Sequence, residues 1–522
     1  MTKQSFLKGT LVLILAGIVV KIIGFINKIV IVRIIGEEGY GLFTMAFPTL
    51  LLTVTLTQIG LPVAISKLVS EAEALNDRRK IKRILVVSLS TTGTLSLLFT
   101  GMMILFAPML AKTVFVDERV MIPLLAISPI VPVVAVSSVL RGYFQGRRHM
   151  SPLGISQIIE QVLRVCFSAI LATALLPYGV AYAAAGAISA NVIGEIGSLF
   201  YMFTMFKTSK KIPIRKGFWS YVKGGRKEFK ELMNIALPAT GSRLIGSVGH
   251  FFEPIIITQS LAIAGVSAAM ATKLYGEIAG LALSFLTLPT FITYSLSVSL
   301  VPTISEAAAH HRYDQIHYRL HQAMKVSMIT GGLAVVITYE FAAPLMKLMY
   351  DVPHVAVYVR WMAPFFFIYF FQQPLQAALQ ALNHAKAAMM NTVFGSTVKM
   401  ATIFVLASQP EFQIFGAAMG YVVNVILVTL LHFVTVVKSV GYTLVAADFA
   451  KGLICIAITA FTAYYLRHYA LTGVELLPRT LTLIFVVTIV YFLLIVLFGV
   501  IRKDDVAQLP LIGKWGTKFF KA

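Results

Sequence analysis

Basic side chains interrupt the apolar stretches of this chain at spacings that suit the binding of a phosphate group. In the first stretch Lys21 and Lys28 are nearly two helical turns apart, and Gly24 falls between them on the same stripe. A glycine flanked by two cations lets a phosphate approach the backbone closely. The alternative is that either lysine extends along its helix until the ammonium group reaches water.

Further charged residues in later stretches either complete such a site or neutralise it. Arg243 holds the place in its stretch that Lys21 holds in the first, which predicts a second base facing a polyanion. Lys273 and Glu277 have the i,i+4 spacing of an ion pair on one helix face, so they either pair structurally or line the site. Glu253 is either a counter-charge or a group that takes up a proton or cation.

Two more pairs of charged residues and one single acid are expected inside the protein. Glu160 and Arg164 share the i,i+4 spacing, which favours a structural ion pair over a role in binding. Glu195 is expected to be buried and either hydrogen-bonded or protonated. Arg360 and Glu340 both fall towards the same end of their stretches and are expected to pair.

Other kinds of chemistry lack their motifs. The chain contains no GxxxxGK[ST] phosphate loop and no HExxH or CxxC spacing, and its ten histidines are scattered. Cys166 and Cys455 both fall in apolar stretches, where they are interpreted as small core residues. The sequence therefore predicts no enzyme, no metal and no cofactor.

The elements that must position these residues are membrane-spanning helices. Of the 522 residues, 58% are hydrophobic and 13% are charged, and the mean hydropathy is +0.84. Soluble domains are roughly 45–50% apolar and about 25% charged, so a soluble multidomain protein is excluded. About fourteen stretches reach spanning length. They fall near 9–35, 41–66, 84–111, 119–140, 152–177, 180–206, 231–258, 270–303, 320–347, 353–382, 386–408, 412–437, 446–467 and 478–501.

The positive charge is concentrated in alternate connections between these stretches. The formal net charge is +22, and most of the 44 Lys and Arg residues fall in connections on one side. This is the positive-inside pattern, so a multi-pass protein with both termini in the cytoplasm is predicted and nucleic-acid binding is not. The tail 502–522 carries lysines beside aromatic residues and is predicted to be an amphipathic anchor on the cytoplasmic membrane surface.

An internal repeat indicates two related bundles. Residues Leu140, Gln145, His149 and Arg164 recur at a fixed offset as Leu375, Gln380, His384 and Lys399. We predict six-helix lobes over 1–220 and 221–440, two appended helices over 441–501, and the tail 502–522. Because six is even, both copies start on the cytoplasmic side, so a pseudo-two-fold axis along the membrane normal relates them. That symmetry favours alternating access.

Several motifs resemble one family. They are Lys8–Thr10, Lys21–Phe25 (KIIGF), Arg33–Gly39 (RIIGEEG), Gln58–Lys67 (QIGLPVAISK), Leu140–Gly146 (LRGYFQG), Met150–Pro152 and Ser156–Gln161 (SQIIEQ). Together they resemble the polysaccharide exporter branch of the multidrug/oligosaccharidyl-lipid/polysaccharide (MOP) transporter superfamily. The resemblance implies a MATE-like bundle of twelve helices plus two, with bases in helices 1, 2 and 8 around a central cavity. Lys21 matches helix 1 and Lys273 matches helix 8 more loosely, but helix 2 has no base inside its apolar stretch.

The resemblance also implies a function. It is the flipping of an undecaprenyl-pyrophosphate-linked sugar, lipid II for spore cortex peptidoglycan, from the inner to the outer leaflet, driven by membrane potential or an ion gradient. The partners implied are this lipid, the membrane, and a spore cell-wall polymerase and transpeptidase. The location implied is the bacterial cell membrane, in a membrane surrounding the forespore. The alternatives are a drug or cation antiporter of the same fold, a flippase for another sugar lipid, and a non-transporting partner of a cell-wall polymerase.

Overall fold

The computed structural model describes residues 3–208 and 218–501, and all of their secondary structure is helical. The predicted amphipathic tail 502–522 lies outside the described residues. The helices are α1 (Lys3–Gln58), α2 (Leu61–Ala74), α3 (Arg78–Met109), α4 (Met121–Ile127), α5 (Ile130–Gly146), α6 (Ser151–Leu175), α7 (Val180–Thr208), α8 (Phe218–Lys223), α9 (Arg226–Ile263), α10 (Ala268–Tyr275), α11 (Leu283–Thr287), α12 (Phe291–Ala309), α13 (Tyr313–Glu340), α14 (Ala342–Tyr350), α15 (Ala356–Phe366), α16 (Tyr369–Ala381), α17 (Ala385–Ala407), α18 (Ile414–Val440), α19 (Ala446–Tyr469) and α20 (Leu476–Leu497). Two short π-helical segments, Leu110–Val114 and Gly276–Ala282, continue α3 and α10.

Many of these helices have the length and composition of membrane spans. Over the described residues, ten spans are long and apolar enough to cross a membrane. The count is eleven if Pro353–Phe366 and Tyr369–Ala381, which meet at a bend of 44°, form one span. The all-helical membrane class predicted from hydropathy is therefore confirmed, with fewer qualifying spans than the fourteen stretches.

Helix α1 combines most of the first two predicted spans. Its backbone leaves the helical region at Gly36, where φ is 68° and ψ is −176°, a conformation that glycine adopts without strain. The second predicted span, 41–66, is divided at Gly60, whose φ of 63° precedes α2. A Cβ atom at Gly60 would lie 2.6 Å from the Ala236 carbonyl oxygen, so this turn also needs glycine for its contact with α9.

Packing divides the chain into two compact units. The first is Met1–Gly280 with Ala407–Ile414, and the second is Leu281–Leu406 with Phe415–Ala522. The first unit extends past residue 220 because α9 packs on α1 and α2. The repeat boundary at 220, which concerns sequence similarity and not packing, stays a prediction.

Each unit has its own apolar core. In the first unit Ile65, Leu85 and Tyr143 pack with Leu232 at the start of α9. In the second unit α13 and α16 pack with α19 and α20, and the Tyr491 hydroxyl donates to the Ile329 carbonyl over 3.0 Å. Thus α19 and α20 are part of the core of the second unit.

The two cysteines differ in their surroundings. Cys455 is buried in the core of the second unit, as predicted. Cys166 is exposed on α6, so its prediction as a core residue is wrong. The apolar stretch around Cys166 places it in a helix, but no other helix among the described residues covers its face of α6.

Candidate functional site

Helix α1 lies along α6 through small and polar residues. The Ser168 hydroxyl donates to Asn27 Oδ1 over 2.6 Å, and both side chains are buried. One turn before Asn27, a Cβ atom at Gly24 would lie 3.7 Å from Gln161 Oε1. Gly24, the glycine predicted to admit a phosphate, therefore lies beside α6, and a Cβ atom there would be at ordinary van der Waals distance from Gln161.

Lys28 points into the first unit. Its ammonium group donates to the Gly280 carbonyl oxygen over 2.7 Å and lies 5.6 Å from the centre of the Tyr40 ring. Gly280 lies in the π-helical segment, and such segments often occur at functional sites. Lys28 thus donates to a backbone acceptor of the π-helical segment, and its predicted role in binding a phosphate stays a prediction.

Glycine contacts bring the second part of α1 against α10. A Cβ atom at Gly41 would lie 2.2 Å from the Thr272 carbonyl oxygen, and one at Gly276 would lie 2.8 Å from the Gly41 Cα atom. Because the backbones approach this closely, side chains that leave the two helices beside the contact meet at short range. Glu37, four residues before Gly41, is placed in this way next to Lys273.

Lys273 is held between two carboxylates. Its Nζ atom lies 2.9 Å from Glu37 Oε2 and 4.0 Å from Glu277 Oε1. The i,i+4 spacing predicts the longer contact, with Glu277. It does not predict the shorter contact, with Glu37, because the two residues are far apart in the sequence. The two adjacent acids of the RIIGEEG motif, Glu37 and Glu38, were the feature of the sequence that could have pointed to Glu37. Glu277 is 2% exposed, so Lys273 compensates a buried charge.

Next to this cluster is a second ion-paired group, centred on Arg119. Its guanidinium binds Glu38 at 2.7 Å and Asp117 at 2.8 Å, and the Thr272 hydroxyl donates to Asp117 over 2.9 Å. Asp117 lies between two candidate spans. Burial alone would raise the pKa of Asp117, but the hydrogen bonds from Arg119 and Thr272 outweigh it and lower that pKa.

Two arginines and two glutamates form a network of ion pairs that joins α5, α6 and α7. Arg164 binds Glu160, as the spacing predicts. Arg141 Nη2 binds Glu195 at 2.9 Å and Glu160 at 3.3 Å. The apolar stretches place Arg141 in the connection after 119–140, whereas α5 continues to Gly146 and carries Arg141 next to α6 and α7. The network is electrically neutral, and the hydrogen bonding expected for Glu195 is present.

The remaining site candidates lie on α1 and α9. Lys21 and Arg243 are both exposed, and they lie at similar distances from the starts of their helices. Arg243 forms no ion pair with the described residues. Glu253 is 13% exposed, and one of its oxygens lies 4.0 Å from His250 Nδ1.

Helices α1 and α9 are packed neighbours in the first unit, joined by a hydrogen bond of 2.8 Å between the Thr55 and Ser247 hydroxyls. Two of the predicted site residues contact the π-helical segment Gly276–Ala282. Lys28 contacts its Gly280, and Lys273 contacts its Glu277. Glu160 and Arg164 form a separate group with Arg141.

Comparison with known proteins identifies relatives over almost the whole chain. The family described as "Polysaccharide biosynthesis protein" matches residues 6–308, and the MatE family matches residues 254–405. Stage V sporulation protein B of Bacillus subtilis (strain 168) is 50% identical over 98% of this chain and 99% of its own length. The lipid II flippase MurJ of the same organism is 23% identical over 84% of each chain.

Solved structures show the same fold. A structure of the lipid II flippase MurJ in an inward closed conformation has a TM-score of 0.67 and 14% identity, covering 95% of this chain and 99% of that one. An inward-facing MATE-family multidrug transporter of the MOP superfamily also has a TM-score of 0.67, with 13% identity over 81% of this chain and 94% of that one.

Fold and relatives together define the class, a multi-pass membrane protein with the fold of the MATE and MurJ transporters. Within that class, the chain belongs to the polysaccharide biosynthesis protein family, in the group that contains Bacillus subtilis stage V sporulation protein B. The family membership expected from the motifs is confirmed.

Proposed function

We propose that this transporter moves an undecaprenyl-pyrophosphate-linked sugar, lipid II for spore cortex peptidoglycan, from the inner to the outer leaflet by alternating access. It acts in a membrane that surrounds the forespore, with both termini in the cytoplasm, beside a spore cell-wall polymerase and transpeptidase. The similarity to a sporulation protein and to lipid II flippases supports this substrate and setting.

The observation that carries the proposal is the exposure of Lys21 on α1 and of Arg243 on α9, a helix that packs on α1. A base at membrane depth is costly unless it faces a wet cavity, a ligand or a group with which it pairs. Their matching places on α1 and α9 suit two bases that grip one pyrophosphate, and Arg243 adds the bidentate geometry that a phosphate prefers.

The remaining site residues position α1 and control whether Lys273 is available to a phosphate. Lys28, bonded to Gly280, fixes α1 against the π-helical segment, and Gly24 lets a phosphate approach the α1 backbone between the two lysines. Lys273 is held by Glu37 and Glu277 and becomes available to a phosphate when these acids are neutralised.

Uptake of a proton or cation therefore couples to binding through Glu277 or Glu253. Glu160 and Arg164, neutralised with Arg141 and Glu195, give the first unit a rigid support and do not contact the lipid.

Membrane potential gives the transport its direction. Moving one elementary charge through 100 mV is worth about 2.3 kcal/mol. An inside-negative potential therefore favours outward movement of an anionic headgroup, provided that the protein's own bases do not cross with it. No ATP is required.

The test is a leaflet-accessibility assay with labelled lipid II in reconstituted vesicles. Lys21→Ala and Arg243→Ala are expected to lower the initial rate at least tenfold, whereas Lys21→Arg and Arg243→Lys retain most of it. Lys230→Ala is the matched control, because Lys230 is also an exposed base of α9 but lies in its second turn. Equal rates in all variants would refute the assignment. Drug efflux without lipid II movement would replace the proposed function by the antiporter alternative.

A further inference from the structure

The second unit contains a basic cavity that no part of the transport cycle described above uses. It has a volume of about 390 Å³ and lies where α19 ends and α20 begins, against α14 and α15. The charge distribution predicts that this end faces outside. The geometry points to a binding site for the phosphate headgroup of an anionic membrane lipid.

Four bases line the cavity, and the described residues place no carboxylate in its wall. The bases are Lys347 of α14, Arg360 of α15, Arg467 of α19 and Arg479 of α20. The acid behind the wall is Glu340, which binds Arg467 through its carbonyl at 2.7 Å and through its carboxylate at 3.7 Å. Arg467 is the one base of the four that forms an ion pair among the described residues, so the wall keeps an excess of positive charge, which favours an anionic ligand.

This arrangement differs from the pairing expected from the sequence. Arg360 does not pair with the Glu340 carboxylate but donates to the Tyr339 carbonyl over 3.3 Å. Arg467, which comes from a helix far along the chain, pairs with Glu340 in its place. The Arg360 guanidinium therefore remains in the cavity wall with its charge available to a ligand.

The arginines are held in position before any ligand arrives. Arg479 Nη2 donates to the Arg467 carbonyl over 2.7 Å, which fixes the guanidinium at the junction of α19 and α20. With its position fixed in this way, the guanidinium in the cavity wall can form charge-assisted hydrogen bonds with a phosphate.

The rest of the wall favours a lipid over a free phosphate ion. Phe341, Leu476 and Leu483 form an apolar side against which acyl chains can lie. On the last turns of α19, Tyr465 and Tyr469 are 57% and 69% exposed. Exposed tyrosines at a helix end mark the headgroup level of a bilayer. Arginine and lysine at this level attract a phosphate headgroup by charge and by charge-assisted hydrogen bonds.

The experiment counts bound lipid by native mass spectrometry of the full-length protein released from nanodiscs. Wild type is expected to retain phosphatidylglycerol and to lose phosphatidylcholine. The double variant Lys347→Met/Arg479→Met is expected to retain at least tenfold less phosphatidylglycerol. Lys347→Met alone alters an exposed side chain that supports no other group and is expected to show a several-fold loss even if the double variant folds poorly. Lys386→Met, at an exposed base on α17, is the control and keeps wild-type retention.

Competition separates the lipid from the ion. Millimolar inorganic phosphate is expected to leave phosphatidylglycerol bound, because the apolar wall adds affinity that the ion lacks. Displacement by phosphate at that concentration would overturn the lipid assignment. Equal retention in wild type and Lys347→Met, or equal retention of the two lipids, would overturn the site itself.

Discussion

Replacing Arg141 by methionine removes the base that two carboxylates share. Arg141 Nη2 lies 2.9 Å and 3.0 Å from the two Glu195 oxygens and 3.3 Å from Glu160. Without it, Arg164 is the base left for two largely buried acids. Breaking a fully buried pair costs about 3–5 kcal/mol. Because the Arg141 side chain is 31% exposed, we expect a smaller loss of about 2 kcal/mol in the free energy of unfolding.

The assay is unfolding of the purified protein by a denaturing detergent in mixed micelles. Lys80→Met is the matched control, because Lys80 pairs at 3.0 Å with Glu231 and both side chains are 30% exposed. Its loss should stay under about 1 kcal/mol. Adding Glu195→Gln to Arg141→Met should recover at least half of the lost stability, since it removes the uncompensated charge. Equal losses for Arg141→Met and Lys80→Met, with no recovery, would refute the network as a source of stability.

Two further predictions concern the first unit. Gly41→Ala should lower the free energy of unfolding by about 2 kcal/mol, because the new Cβ atom meets the Thr272 carbonyl. Gly17→Ala, where a Cβ atom meets nothing within 4 Å, is the control and should change this free energy little. Equal effects of the two substitutions in mixed-micelle unfolding would contradict the contact. The lowered pKa of Asp117 stabilises the fold above the pKa of the unfolded chain, and this contribution is lost as the pH falls through the lower folded-state value. Asp117→Asn should therefore flatten the acid side of the melting-temperature profile, and an unchanged profile would refute this.

The sequence predicted the fold class and most local pairs, because both depend on short-range patterns. Hydropathy identified the apolar stretches, and the i,i+4 rule found Glu160 with Arg164 and Lys273 with Glu277. The break at Gly36 was missed because the apolar pattern is nearly continuous across it.

The contacts that the sequence missed join distant parts of the chain. Glu37 reaches Lys273 because Gly41 allows α1 to touch α10, and nothing in the local pattern of either helix shows that contact. Arg141 was placed in a connection because its charge and its basic neighbours look like a helix end. The fold instead extends α5 and supplies two acids from α6 and α7.

The central claim, that Lys21 and Arg243 grip a pyrophosphate, is tested most directly by binding of a short-chain lipid II analogue to the purified protein. Each charge-assisted contact is worth about 1.5–3 kcal/mol. Lys21→Ala and Arg243→Ala should therefore each raise the dissociation constant by roughly ten- to a hundredfold. Lys230→Ala should bind like wild type. Wild-type affinity in both Lys21→Ala and Arg243→Ala would contradict the account.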